Sequence, residues 1–392
     1  MEKIEYKPKS VRELLTEMKD ISDLMIDLAY ASLLFEDREI AGRVREMETR
    51  MDELMYRIRV IAAVAARNVE EAKKITGILQ VASAAEAISN ATGDMADLVL
   101  RGIDVHPVVR EAIARADEKV AKIEVQEGSM LAGKRLFELK LPSSIGVWIL
   151  ALRRDGSWTV PTKETEATAG DVLLARGPND GINTLSKMAG LRGVAGLGRG
   201  GLPLIRDTLA KMRDLSSVMV DMAYSSILLG SREAAEWVRE LEEKFDKLNY
   251  KLWLATLRAA RRERDVAKLN SVLQVVKCME KISDAADSIA DVVLRGVELH
   301  PVFAQALAQA DEQIAKVEVS EGSSLAGRTL GKLNLWSTVG AYVLIIKRGK
   351  IYIFNPGMRT RIRAGDSLIV RGSALGVQKL KEMAAGLKAP QA

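Results

Sequence analysis

Histidine and cysteine are almost missing from this chain. Its 392 residues include two histidines and one cysteine. The single thiol, Cys278, excludes an intramolecular disulfide and suits a reducing, cytoplasmic setting. No serine stands in a strained-turn motif and no nucleophile has a plausible base, so the chain is expected not to be an enzyme. Aromatic residues make up only 4%. Their scarcity, with alanine, leucine, methionine and charged residues abundant, favours helix packing over a β-sandwich. No apolar run approaches the ~18 residues of a membrane-spanning helix, and the opening MEKIEYKPKS has no signal-peptide character. The net charge is a mild +5, with acids and bases interspersed, so no nucleic-acid partner is expected.

What the sequence does contain is a duplication. Both histidines fall in one phrase, ADLVLRGIDVHPVV from Ala96 and ADVVLRGVELHPVF from Ala290. Met18 aligns with Met212, Asp27 with Asp221, Arg101 with Arg295 and His106 with His300, each pair 194 apart. Over residues 96–136 the copies agree at 25 of 41 positions. One extra residue then brings Gly170-Asp171 onto Gly365-Asp366. Two copies of one compound unit are therefore expected.

Each copy opens with helical periodicity. Ile40, Val44, Met47, Met51, Leu54, Ile58 and Ile61 step by fours and threes, as do Ile78, Val81, Ala85, Ile88, Thr92, Met95 and Val99. With a preceding segment from Val11, this predicts three long antiparallel helices per copy. Gly102 and Gly296 end the third helix. Proline after each histidine suits a helix start, so His106 and His300 are read as N-cap joints or, alternatively, as ligand contacts. A short helix to Ala121 and Ala315 is predicted next. Each copy then turns to strand patterns: VWILALRRDG, a strand closing in a turn, and AGDVLLARG, a glycine turn feeding another strand. The predicted order is strand, helix, three strands, helix. The fold class is α+β, in five segments: three-helix units at 10–105 and 204–299, small βαβββα domains at 106–189 and 300–388, and a glycine-rich linker at 190–203. That linker, LRGVAGLGRGGLPL, follows a helix rather than a strand, so it does not read as a dinucleotide fingerprint.

The blocks E-G-S-x-L-A-G-K/R, I/V-G-x-x-x-L-x-x-x-R and A-G-D-x-L-x-x-R-G, in order and twice over, resemble the C-terminal subdomain of TrkA and RCK (regulator of potassium conductance) proteins. The helical parts resemble three-helix halves of PhoU proteins through acid-x-x-x-Asp pairs on consecutive helices. The combination resembles an archaeal arrangement linked to cation transport. This resemblance implies a non-enzymatic cytoplasmic regulator of cation transport, potassium first, partnered by a transporter or channel at the cytoplasmic membrane face, with a homodimer as a candidate assembly. Its alternative is a PhoU-like adaptor in phosphate-uptake signalling. It also implies that paired C-terminal subdomains bind a small regulatory ligand, in some relatives cyclic di-adenosine monophosphate.

Candidate site residues follow. Arg153-Arg154 and Lys347-Arg348 end the same strand in both copies and would hold phosphate, or else are solvated charges. Trp148 and Tyr342 are candidate stacking walls, at a place where nucleotide-binding relatives usually offer a small polar residue. Glu48, Asp52, Glu86, Glu242, Asp246, Glu280 and Asp284 are candidate ligands for a divalent metal, the alternative being a plain charged flank. The first copy has Asn90 where the second has Asp284.

Overall fold

The structure is a computed structural model and describes residues 9–191, 202–261, 266–298 and 300–386. The first copy supplies α1 (Val11–Phe35), α2 (Arg38–Ala65), α3 (Val69–Leu100) and the short α4 (Pro107–Arg115). The second supplies α7 (Pro203–Leu229), α8 (Arg232–Ala259), α9 (Val266–Leu294) and α10 (Val302–Gln309). Local sequence sets these limits. Ser10 and Glu13 form a capping box at the start of α1, satisfying backbone N–H groups that the first turn leaves open. Asp37 caps α2 by accepting from the Glu39 and Ile40 N–H groups. Arg38 donates from Nη2 to the Leu100 carbonyl at 2.6 Å. In the second copy Arg232 does the same to Leu294 at 3.0 Å. Each trio is thus tied from the start of its second helix to the end of its third.

The chain divides into two units. One holds both helical trios with α4 and α10, ending at Ala116 and at Ala310. The other starts at Asp117 and again at Asp311, and holds both small α/β domains. The predicted seam residues Ile40, Val44, Met51, Leu54 and Ile58 are buried, as are Ile78, Val81, Ala85, Ile88, Met95 and Val99. On α3 a second row is buried as well, including Ala82, Ala91 and Leu98, because α3 also packs against α9. Gln80 Nε2 reaches the Ser288 carbonyl at 2.7 Å across that contact. Farther along, the exchange is reciprocal: Lys19 sits 5.6 Å from the Tyr224 ring and Arg213 sits 5.0 Å from the Tyr30 ring. Desolvated cation–π contacts of this kind contribute about 2 kcal/mol.

Two details differ from the sequence reading. The short helix ends at Arg115, not Ala121, because the strand begins at Lys119. It also belongs with the helices, since α4 packs on α1 and α7. His106 does act as an N-cap, its Nδ1 accepting from the Val108 N–H at 3.1 Å, and His300 accepts from Val302 at 3.1 Å. The joint therefore lies inside the helical unit rather than at the border of the small domain. Most of the expected linker, residues 192–201, lies outside the described residues.

The first small domain runs β1 (Lys119–Glu124), β2 (Lys134–Arg135), α5 (Leu141–Ile145), β3 (Trp148–Arg154), β4 (Ser157–Thr159), β5 (Glu166–Ala167), β6 (Val172–Gly177) and α6 (Asn179–Met188). Its main sheet is antiparallel in the order β1-β6-β3-β4, with β2 and β5 paired separately. The second domain runs β7 (Glu312–Glu318), α11 (Leu330–Leu333), α12 (Leu335–Val339), β8 (Ala341–Arg348), β9 (Ile351–Phe354), β10 (Ser367–Ser373) and α13 (Ala374–Ala384), with sheet order β7-β10-β8-β9. The main-sheet strands follow the predicted βαβββα order in both; the first domain adds the short β2–β5 pair, and the second has two short helices, α11 and α12, where one was expected. Each domain has its own apolar core: Ile123, Leu152, Leu173 and Leu185 in the first, Val317, Ile346, Leu368 and Leu380 in the second.

Candidate functional site

Two places gather chemistry-bearing side chains. The first joins the two small domains. Arg176 near the end of β6 and Arg371 on β10 each reach two glutamates, Glu118 just before β1 and Glu312 on β7. Arg176 Nη2 donates to Glu312 at 3.1 Å, and its Nε lies 3.6 Å from Glu118. Arg371 Nη2 donates to Glu118 at 3.4 Å, and its Nε lies 3.5 Å from Glu312. All four side chains are 15% exposed or less. The quartet is reciprocal: each copy supplies one arginine and one glutamate.

The aromatic candidates flank this quartet. Trp148 is the register partner of Arg176, and Tyr342 that of Arg371. The Arg371 guanidinium lies 6.0 Å from the Tyr342 ring centroid, and Trp336 meets the same ring edge-on at 5.2 Å. Close packing of the two copies continues at α5 and α12. There Gly146 and Gly340 have φ of +68° and +65°. A Cβ on Gly146 would lie 2.3 Å from the Trp336 carbonyl, and one on Gly340 would lie 1.6 Å from the Pro142 carbonyl. The glycine of the I/V-G block is thus where the copies touch.

The basic candidates have other partners. Arg154 forks onto Asp171, with Nε donating at 2.8 Å and Nη2 at 2.7 Å, and Nη2 also reaches the Glu166 carbonyl at 2.8 Å. Arg348 forks onto Asp366 at 2.7 and 2.8 Å and reaches the Arg361 carbonyl at 2.9 Å. The I/V-G and A-G-D blocks of each repeat therefore close on each other, the arginine of one holding the aspartate of the other. Burial pushes the Asp171 carboxyl up, but the Arg154 fork and the Thr168 N–H outweigh it and hold it below the usual carboxylate range. Asp366 is lowered in the same way against its burial, by Arg348 and the Arg363 N–H. Arg153 is exposed, its Nε 3.4 Å from the Gly156 carbonyl of its own hairpin. Lys347 sits 5.1 Å from the Tyr352 ring. Of the six expected ligand residues, the structure sets the two aromatics opposite the quartet arginines in strand register and leaves the four cations engaged within their own domains. Arg176, Arg371, Glu118 and Glu312 were missed. Their signal was available: a cation recurring inside the apolar runs LLARG and LIVRG, and an acid recurring in ADEK and ADEQ.

The second place is the acidic face of the helical trios, where the copies diverge. In the first, Arg45 pairs with Glu48, Arg59 Nη2 donates to Glu86 at 3.1 Å, and Asn90 replaces an acid. Glu48 lies in the notch left by Gly93, whose counterpart is Asp287. Both Glu48 and Glu86 are raised by burial first, with Arg45 and Arg59 respectively pulling the other way. In this copy Arg45 and Arg59 are seated on Glu48 and Glu86 and would compete with a divalent ion there. In the second copy the arginine equivalent to Arg45, Arg239, turns to Asp287 at 3.4 Å and Asp291 at 3.3 Å. Trp253 stands in place of Arg59. Among the described residues, no cation pairs with Glu242, Asp246, Glu280 or Asp284. The Glu242 carboxyl is pushed up to about 7, by desolvation first and then by Asp246, Asp287 and Asp284. Asp284 is raised by desolvation and then by Glu280, Asp246 and Asp287. The oxygen donors suit a hard cation, yet among the described residues no three Asp, Glu, His or Cys side chains are grouped to hold one.

This cluster carries a pH signature. A carboxyl raised in the folded state favours the proton there, so stability falls as pH climbs from the unfolded value near 4.5 to about 7, then levels off. Glu242→Gln removes the Glu242 share of that slope. With solvent screening of a half-exposed site, the variant is expected to gain about 1–2 kcal/mol at pH 8 and nothing at pH 4.5. Urea melts of both proteins across that range check it; parallel profiles would refute it.

Comparison with known proteins follows the same division. The PhoU domain model matches residues 15–99 and 209–293, and the TrkA-C domain model matches 120–190 and 314–385. Curated protein sequences give no match. Among solved structures the chain is similar to PhoU from Pseudomonas aeruginosa, at 12% identity over 73% of this chain and 96% of that one, TM-score 0.43. It is also similar to the phosphate transport system regulatory protein PhoU from Streptococcus pneumoniae, at 13% identity over 74% and 97%, TM-score 0.42. A third likeness is to the GsuK channel bound to NAD, at 14% identity over 76% and 65%, TM-score 0.19. At these identities and scores the structures add nothing to the domain matches. The domain matches bear out the tandem of PhoU-like and TrkA-C domains and give no support for an archaeal type. PhoU and TrkA-C are regulatory domains, and no catalytic activity is indicated. No helix among the described residues is long and apolar enough to cross a membrane. The chain is a tandem of PhoU and TrkA-C domains, each kind present twice and in alternation.

Proposed function

We propose that this chain is a non-enzymatic, cytoplasmic regulator of cation transport, potassium first, that senses a small anionic ligand at its paired TrkA-C domains. A cytoplasmic face of a transporter or channel is the partner this implies. The observation that supports the reading is the reciprocal arginine–glutamate quartet. Here one chain holds two TrkA-C domains together by cations that an anion would also bind. Phosphate groups are matched by guanidinium forks, so a ligand with two phosphates, cyclic di-adenosine monophosphate foremost, would take Arg176 and Arg371 from Glu118 and Glu312. Trp148 and Tyr342 beside them offer faces for its bases. The ligand would shift the population between quartet-closed and anion-bound packings.

The test is a thermal-shift panel of nucleotides on the full chain. A binding anion at 100 times its Kd stabilises by about 2.7 kcal/mol. Glu118→Gln with Glu312→Gln removes the competing carboxylates, so the shift should appear at lower ligand concentration. Arg176→Met with Arg371→Met should abolish it. A blank panel, or a shift that survives loss of both arginines, would overturn the reading.

A second reading has its own observation. The four acids of the second copy that have no cationic partner among the described residues support a PhoU-like adaptor in phosphate-uptake signalling, with a divalent metal on Glu242, Asp246, Glu280 and Asp284. Stoichiometric metal in the purified protein, lost in Asp246→Asn with Asp284→Asn, would favour it.

A further inference from the structure

The second trio presents a surface that the first lacks. On α8, Glu242, Asp246, Tyr250, Trp253 and Leu257 step by fours and threes and so share one face. Tyr250 is 68% exposed, Trp253 41% and Leu257 57%. The stripe is about 22 Å long at 1.5 Å per residue. Its first half is acidic, and the neighbouring helix α9 adds Glu280 and Asp284. Its second half is aromatic and aliphatic. Among the described residues none of these four acids has a cationic partner. In the first copy the same face reads Glu48, Asp52, Tyr56, Arg59 and Ala63, with Arg59 neutralising Glu86. The larger apolar anchor comes from Trp253 and Leu257 in place of Arg59 and Ala63, and the surplus negative charge from the loss of Arg59 and the gain of Asp284 in place of Asn90.

Exposed apolar residues contiguous with unpaired charge mark an interaction surface. Its charge selects the partner: acids repel an anionic membrane and attract Lys or Arg. A 22 Å strip with apolar contacts three and four residues apart matches an amphipathic helix lying along it. We propose that the α8–α9 face of the second trio docks a basic amphipathic helix of a partner protein. The partner's apolar side would cover Tyr250, Trp253 and Leu257, and its cations would meet Asp246, Glu280 and Asp284. This rests on the preceding reading only in taking the chain to act through a protein partner.

The probe is a synthetic ~15-residue helix of leucine and lysine, a length matching the stripe. It is titrated into the full chain with EDTA present, so that no metal competes. One peptide per chain is expected, with Trp fluorescence changing on binding. Trp253→Arg, which restores the first copy's cation, and Asp246→Asn with Asp284→Asn should each weaken binding roughly tenfold or more. Tyr56→Ala in the first copy should leave it unchanged, as a control of the same chemistry. The same peptide with glutamate for lysine should not bind. These positions are exposed, and unchanged circular dichroism spectra at room temperature would confirm folding, while the asparagine pair is expected to melt no lower than the parent because it relieves like-charge repulsion. Failure of the lysine peptide to bind, or retention of binding by Trp253→Arg, would overturn the proposal. So would self-association of the chain alone that depends on Trp253, since the face would then belong to a second copy. None of these outcomes alters the nucleotide response of the TrkA-C pair.

Discussion

Replacing Arg176 and Arg371 together by alanine is expected to destroy the pairing of the TrkA-C domains. The change leaves Glu118 and Glu312 facing each other at an interface where both side chains are 15% exposed or less. Stranding a buried charge by removing its partner typically costs about 3–5 kcal/mol. A matched replacement tests whether this is an effect of stranded charge rather than lost contact. Arg176→Met and Arg371→Met combined with Glu118→Leu and Glu312→Leu remove all four charges at similar volume. That variant is expected to stay within about 1–2 kcal/mol of the parent, since buried ion pairs replaced by apolar groups are often neutral or stabilising. Calorimetric melting of the three proteins gives the comparison. Equal stability of the alanine double variant and the parent would show that the quartet does not hold the pair.

Gly340→Ala is expected to have an effect of similar size by a different route. The left-handed backbone at Gly340 alone disfavours a side chain by about 1–2 kcal/mol. The larger obstacle is the Pro142 carbonyl of the other copy, 1.6 Å from where the Cβ would lie. A carbonyl has no rotamer to move out of the way, so the domains must part, and the combined loss should exceed about 3 kcal/mol. Gly349 is the control. It too has positive φ, at +60°, but nothing lies within 4 Å of its Cβ position. Gly349→Ala should show the backbone penalty alone. If the two variants melt together, steric contact between the copies is not what fixes Gly340.

The duplication and the element order were legible because they depend on local pattern. Heptad spacing marks which side of a helix is buried, and strand runs between glycine turns mark the sheet. What that pattern leaves open is which partner covers a buried side. The second buried row of α3 looks, in sequence, like ordinary alanine-rich helix; it is the contact with α9 that uses it. The same limit displaced α4, whose apolar residues Val108, Val109 and Ile113 suit a helical neighbour as well as a sheet. Charges were harder still. Arg154 and Arg176 are both arginines in or at the end of β-strands, yet one forks onto an aspartate of its own domain and the other bridges the copies. Only the placement of Asp171 and Glu312 separates them. Aligning the repeats against each other carried the most information about function. In sequence only Asn90 opposite Asp284 stands out; that Trp253 opposite Arg59 and Asp287 opposite Gly93 also set the second copy's acidic face apart shows once Arg59 is seen on Glu86 and Glu48 in the Gly93 notch.

If the paired TrkA-C domains exchange an internal carboxylate for an anionic ligand, as proposed, the one pair in each chain takes one ligand. Isothermal titration of the full chain with cyclic di-adenosine monophosphate should give one ligand per chain, and none after Arg176→Met with Arg371→Met. Two ligands per chain would mean that each domain binds alone, and no ligand at all would remove the sensing role from this pair.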